Sequence, residues 1–358
     1  MRRTLLLVGA AAVAVMLVSA TAGYWVSRER TTANPTGELV FTHQVEVGKV
    51  TIEDGIVSLS VLPADLYVVG VDGSNRRLLA RNAGGAAVSP DGRRIAFTRD
   101  GAVWVMQRDG SRGKRLVMTA SDPAWSPDGK TIYFSRWVEA DLGSSLFSIQ
   151  DDGTHLVRLT RAQGEEDMDP TRPHGCWQFH HGPSPSPDGR SVAFTEDPNA
   201  CDGLSYIRVV SPEGRPLQMP FRLLSDDRET LASNRTYAAA WSPNGRQLAY
   251  GGGDLDPNEE GLYVSRSDGS PTRRIYPGAA GNPAWSPDSE WIAFVSSRPP
   301  GRYPPNSGIW LVRADGSHQH TVTRPGPCAV LDASTPAPPT RCSSYYDPAW
   351  LPAPDKQS

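Results

Sequence analysis

The chain has 358 residues, 38% of them hydrophobic, with 34 glycines and 32 prolines, a composition that suits many short strands joined by tight turns better than helices. Its formal net charge of −3, with no basic stripe interleaved with aromatics, sets nucleic acid aside as a partner, because phosphates demand a basic footprint.

Residues 1–30 are a different material from the rest. Arg2 and Arg3 precede an apolar run from Leu5 to Val18, the layout of an export segment. Ala20-Thr21-Ala22 offers a small-residue cleavage site. The uncharged stretch from Thr4 to Ser27 is also long enough, at about 1.5 Å per residue, to cross a bilayer core of roughly 30 Å. Tyr24 and Trp25 would then lie at the far interface. Residues 1–30 are therefore a signal peptide or an N-terminal membrane anchor. Both alternatives place the remainder outside the cytoplasm, secreted or membrane-anchored. Residues 31–36 read as a linker and 353–358 as a tail.

The region between is repetitive. Ser-Pro-Asp-Gly begins at Ser89, Ser126 and Ser186 and returns as Ser-Pro-Asn-Gly at Ser242 and Ser-Pro-Asp-Ser at Ser286. Trp125, Trp241 and Trp285 precede three of the copies. Each copy is followed by an alternating run: RRIAFT, KTIYFS, RSVAFT, RQLAYG and EWIAFV. A second phrase, a strand-like run ending in an acid-Gly turn, has its acids at Asp72, Asp109, Asp152, Glu213, Asp268 and Asp315. Proline presets φ, aspartate bonds its own backbone and glycine accepts positive φ, so both phrases are tight turns between antiparallel strands. The unit is thus four short strands: A ending in Trp, then B, C and D. A lone sheet of this kind cannot bury both faces, but six packed radially can. The tryptophans are expected in the core between neighbouring sheets.

The first unit has strand B at residues 37–44 and strand C from Asp65, but no strand A before them. DPAW, residues 347–350, supplies the missing strand from the other end of the chain. The expected fold is an all-β, six-bladed propeller over residues 37–352, with a C-terminal strand completing the N-terminal blade. The repeated xWSPDGxxIAF and LYVxxxDGxxxRRL patterns resemble those of the TolB-like, WD-repeat-like propellers of exported bacterial proteins. The resemblance implies the fold and leaves the activity open. TolB itself carries an α/β domain before its propeller, and the residues before Gly37 leave no room for one.

Strand parity places the short A–B and C–D turns on one face of the disc, the turn face. Every long segment, including residues 161–182, 225–235, 251–261 and 324–344, falls on the opposite, insertion face, where binding is expected. Cys176, Cys201, Cys328 and Cys342 are even in number, as expected of disulfides in an oxidising compartment. Of the three connectivities, Cys176–Cys201 and Cys328–Cys342 join points on one face and serve as loop staples.

Two segments carry possible metal ligands. The loop of residues 165–182 holds His174, His180 and His181 near carboxylates and could bind a divalent ion. Asp254, Asp256 and Asn258 alternate like the start of a calcium loop, but Glu259 stands where the turn glycine belongs. The plainer reading of both is a solvated loop with no cofactor. Gly-x-Ser-x-Gly, Walker and HExxH motifs are absent from the sequence. The expectation is a monomeric, extracytoplasmic scaffold that binds an envelope protein or cell-wall ligand and touches the membrane through its N-terminal segment. The alternative is a metal-dependent lyase or hydrolase built on the histidine-rich loop.

Overall fold

The structure, a computed structural model, describes residues 35–53, 56–61, 63–162, 177–197, 205–218, 239–252, 260–268, 270–297, 307–323 and 341–352. For residues 45–53, 56–61, 297 and 341–344 it describes the backbone alone. Residues Thr36–Ser358 form one compact unit.

The strands follow the turn phrases closely. The first group is β1 (Glu38–Glu53), β2 (Ile56–Val61), β3 (Asp65–Gly70) and β4 (Arg77–Ala80). The second is β5 (Gly84–Val88), β6 (Arg94–Arg99), β7 (Ala102–Gln107) and β8 (Lys114–Met118), a four-stranded antiparallel sheet in chain order. A seven-stranded sheet follows: β9 (Ala120–Trp125), β10 (Thr131–Val138), β11 (Gly143–Gln150), β12 (Val157–Arg158), β13 (Gln178–Pro185), β14 (Val192–Asp197) and β15 (Tyr206–Val210). Its two antiparallel halves meet where Gly143 and Ser144 run parallel to Gln178 and Phe179. Two further four-stranded sheets are β16 (Ala240–Trp241), β17 (Gln247–Gly252), β18 (Gly261–Arg266), β19 (Arg273–Pro277), and β20 (Ala280–Trp285), β21 (Trp291–Ser297), β22 (Ser307–Arg313), β23 (His320–Thr321). The last strand, β24 (Arg341–Leu351), pairs antiparallel with β1, from Glu38 opposite Leu351 to Val47 opposite Arg341.

Three details depart from the sequence expectation. Strand β1 continues past residue 44 into a hairpin with β2, and β24 is longer than residues 347–350 because it follows that extension. The group β13–β15 has no fourth strand among the described residues; one bridge, Val210 to Pro216, stands in its place. The histidine-rich loop ends early, since residues 178–182 already belong to β13.

Successive sheets pack face to face. One buried cluster joins Val40, Leu66 and Val68 to Ile95, Phe97 and Met106, and the next joins Ala96 and Val105 to Ile132 and Phe134. Another joins Phe41, Val69 and Trp350 to Trp291, Ala293 and Leu311. Trp125, Trp285 and Trp350 are each 7% exposed. Each indole N–H donates to the A-strand of the preceding sheet: to Ala87 O (3.1 Å), Ala240 O (2.9 Å) and Ala284 O (2.8 Å). Burial of an aromatic this size contributes about 2–3 kcal/mol, and the bond satisfies the N–H that would otherwise make it costly. The first strands of successive groups therefore lie side by side. Contacts run β24, β5, β9, β13, β16, β20, and β20 again meets β24.

The turn face is saturated with hydrogen bonds. In Ser126-Pro-Asp-Gly, the buried Ser126 hydroxyl donates to Asp128 Oδ1 (2.6 Å) and accepts from the Thr131 N–H (2.9 Å). Gly129, at φ 68°, donates to Ser126 O (2.9 Å). The copies at Ser89, Ser186, Ser242 and Ser286 repeat the serine contact to the turn Asp or Asn. The Ser126 hydrogen bond holds the Asp128 carboxyl below its ordinary value, and Ser186 does the same for Asp188.

Candidate functional site

At the opposite end of the sheets the A-strands are interrupted. Three residues before each Trp, or its counterpart, the backbone turns left-handed: Gly85 (φ 55°), Asp122 (φ 50°), Gly182 (φ 59°), Asn282 (φ 49°) and Asp347 (φ 49°). Pairing with the B-strand slips at each of these points, which is a β-bulge. All five are Gly, Asn or Asp, the residues that reach positive φ at least cost. That recurring choice is the sequence signal that could have found them. A bulge on five of the six described innermost strands, all but the short β16, re-aims one residue in each, and in three of them that residue is Asp or Asn.

These side chains converge. Asp347 on β24 accepts hydrogen bonds from Asn282 Nδ2 on β20 and from the Gly85 N–H on β5. Thr42 on β1 places its hydroxyl 3.5 Å from Asp347 Oδ2 and accepts from the Gly85 N–H at 3.1 Å. Burial, and then the charge of Asp122, push the Asp347 carboxyl up to about 6. Asp122 and Asp347 both line an open cavity of about 440 Å³, with Asn82, Thr98, Arg99 and Asp100 also on its wall. By strand parity the cavity opens on the insertion face.

The charge of Asp122 also reaches His181. The His181 Nε2 lies 3.0 Å from Asp197 Oδ2. Burial alone would lower the His181 pKa, but the Asp197 bond and the charges of Asp197 and Asp122 outweigh it and raise the value. The cluster is thus two interacting carboxylates, Asp122 and Asp347, with an imidazole nearby that is bonded to Asp197 and gains from protonation.

His180 occupies a different environment, because adjacent residues of a strand point to opposite faces. It is 4% exposed, with Nδ1 2.8 Å from Thr160 Oγ1 and Nε2 3.5 Å from Glu196 Oε1. Glu196 also accepts from Gln178 Nε2 (2.9 Å) and Arg208 Nε (2.6 Å). The His180 ring, followed by the Arg208 guanidinium, outweighs burial and holds the Glu196 carboxyl at about 2. His180 is in this way a core partner of Glu196, while His181 belongs to the axial cluster.

Among the described residues no group of three His, Cys, Asp or Glu side chains is arranged to hold a metal ion. His174, Asp254, Asp256, Asn258, Cys176, Cys201 and Cys328 lie outside the described residues, as does the side chain of Cys342. The segment 1–30 lies outside them too; among the described residues no helix is long and apolar enough to cross a membrane.

No family model matches the chain. An uncharacterized protein of Agrobacterium fabrum is 30% identical over 140 residues, 38% of this chain and 41% of that protein, so the match spans about two-fifths of that relative's length. Among solved structures, TolB from Acinetobacter baumannii superposes with a TM-score of 0.59 at 14% identity, covering 88% of this chain and 67% of that one. A protein from Agrobacterium tumefaciens assigned as a TolB gives 0.55 at 15% identity, covering 87% and 99%. Hydrazine synthase of Kuenenia stuttgartiensis gives 0.58 at 13% identity over 88% of this chain and 46% of that one. Identities this low speak for the fold alone. The fold of this chain is that of the TolB-like β-propellers.

Proposed function

We propose that the chain is an extracytoplasmic, membrane-tethered six-bladed propeller that binds another envelope protein or a cell-wall ligand through its insertion face and the mouth of the axial cavity. Reading the seven-stranded sheet as two joined blades brings the count to six. The succession of contacts from β24 through β20 supports that count, and the pairing of β24 with β1 supports closure between the chain ends. Tethering and export rest on residues 1–30.

The observation that carries the binding reading is the placement of Asp122 and Asp347. Both stand at left-handed bulges, both line one cavity, and burial together with Asp122 raises Asp347 to about 6. A desolvated carboxylate at Asp347, with the exposed Asp122 carboxylate beside it and both on left-handed backbone, has a cost that folding alone does not recover, and such groups collect where a protein meets a ligand. Affinity capture from native membranes tests this directly. The intact chain should retain a partner that D122N/D347N loses while keeping the same circular dichroism. Equal retention by both would overturn the reading.

A metal-dependent lyase or hydrolase using His174, His180 and His181 is the second reading. Its histidines would have to act together, whereas His180 and His181 face opposite sides of β13, each with its own carboxylate. Metal analysis with and without chelator separates the two readings, since only the second requires a stoichiometric ion.

A further inference from the structure

A second feature of the insertion face is aromatic. Trp137 near the end of β10 is opposite Ser144 on β11, and Ser144 is in turn beside Phe179 on β13. Cross-strand neighbours share a sheet face, and Trp177 is two residues from Phe179, so the three rings come together. The Trp137 and Trp177 centroids are 5.6 Å apart at 77°, Trp177 and Phe179 6.4 Å apart at 83°, and Trp137 and Phe179 6.1 Å apart at 39°. Trp177 remains 39% exposed. The Trp137 indole N–H donates to Glu139 Oε2 at 2.8 Å, which fixes a carboxylate at the edge of the rings. Glu139 is exposed and pairs with no cation among the described residues, whereas Asp141 beside it is taken by Arg158 and Arg161.

We infer that Trp137, Trp177, Phe179 and Glu139 form a binding site for the alkylated ammonium group of a small soluble ligand. Aromatic faces carry the negative part of the ring quadrupole and attract a cation within about 6 Å of the centroid. Rings set nearly perpendicular and about 6 Å apart bring two such faces within that reach of one point. An alkylated ammonium spreads its charge over methyl groups and is less strongly hydrated than a primary amine, so it leaves water at lower cost to meet apolar rings. The charge of Glu139 completes the match, and a neutral ligand of the same shape would gain nothing from it.

The site is tested by titrating the purified full chain with tetramethylammonium chloride while following the Trp137 and Trp177 indole N–H resonances. Sodium chloride at equal ionic strength and 3,3-dimethylbutanol, a neutral isostere, are the controls. The expected result is a saturable shift of both resonances with tetramethylammonium alone. W177A should weaken binding by about tenfold and E139Q by about threefold. Both residues are exposed, so both variants are expected to keep the fold, and E139Q retains all three rings. Saturation by the isostere at the same concentration would overturn the inference. So would shifts no larger than those with sodium chloride, or unchanged binding in both variants.

Discussion

The two ends of the same strands obey different rules. At the turn face, serine, aspartate and glycine repeat from copy to copy and close every hydrogen bond they can reach, as at Ser126, Asp128 and Gly129. At the insertion face the A-strands bulge, Asp122 and Asp347 share one cavity, and buried atoms are left without hydrogen bonds: Thr98 Oγ1, Arg99 Nε, Ser135 Oγ, Thr195 Oγ1 and Asp197 Oδ1. A buried orphan hydroxyl costs about 1–3 kcal/mol, and a fold selected for stability alone would have removed several. The repeat has been optimised for folding at one end and kept irregular at the other. That contrast teaches where to look for function in a fold that does not itself name one.

The largest effect should come from the join between the chain ends. Deleting residues 345–358 removes Tyr345, Trp350 and Leu351, all at most 7% exposed, along with five of the nine β24 residues that pair with β1. Loss of a cooperative thermal transition in circular dichroism is expected; an unchanged melt would show that the pairing contributes little. Next, S126A at the turn face should destabilise by about 2 kcal/mol in urea unfolding, because it strands the Thr131 N–H and leaves Asp128 with only the Lys130 N–H. Asp122→Gly at the insertion face should do the reverse and stabilise by about 1 kcal/mol, relieving a left-handed backbone and a like-charge neighbour. If D122G destabilises as S126A does, the two ends are not different in kind.

Much of this was legible in the sequence. The Trp and Ser-Pro-Asp-Gly spacing announced the sheets, and the unpaired DPAW announced β24, because turn chemistry and period-two alternation are local. The bulges were harder to see. Asp122, Asn282 and Asp347 look like ordinary strand-entry residues, and only alignment with Gly85 and Gly182 reveals that one backbone conformation selects all five. The convergence of Asp347 with Asn282, Thr42 and Gly85 was not legible at all, since it joins residues from four strands. His180 and His181 looked equivalent in sequence, and strand alternation separated them.

The two ends should also differ in the sign of their pH dependence. Asp128 and Asp188 are held below their ordinary 3.8 by Ser126 and Ser186, so they stabilise the fold above about pH 4 and lose that contribution as pH falls. Asp347, at about 6, is raised; its ionisation costs the folded state progressively as pH rises from about 4 through 6. His181, raised above 6.5, adds stability below that pH and loses it above. Stability should peak at about pH 4, and D347N should flatten the loss between about pH 4 and 6 while leaving the acid limb intact. An unaltered alkaline limb would remove Asp347 from the account.

Site-specific photo-crosslinking in native membranes tests most directly whether the insertion face is the recognition surface. A photoreactive residue at Asn82, on the cavity wall, should capture a discrete partner, and one at Lys130, in a turn of the opposite face, should not. Capture from position 130 with none from position 82 would contradict the account and move recognition to the turn face.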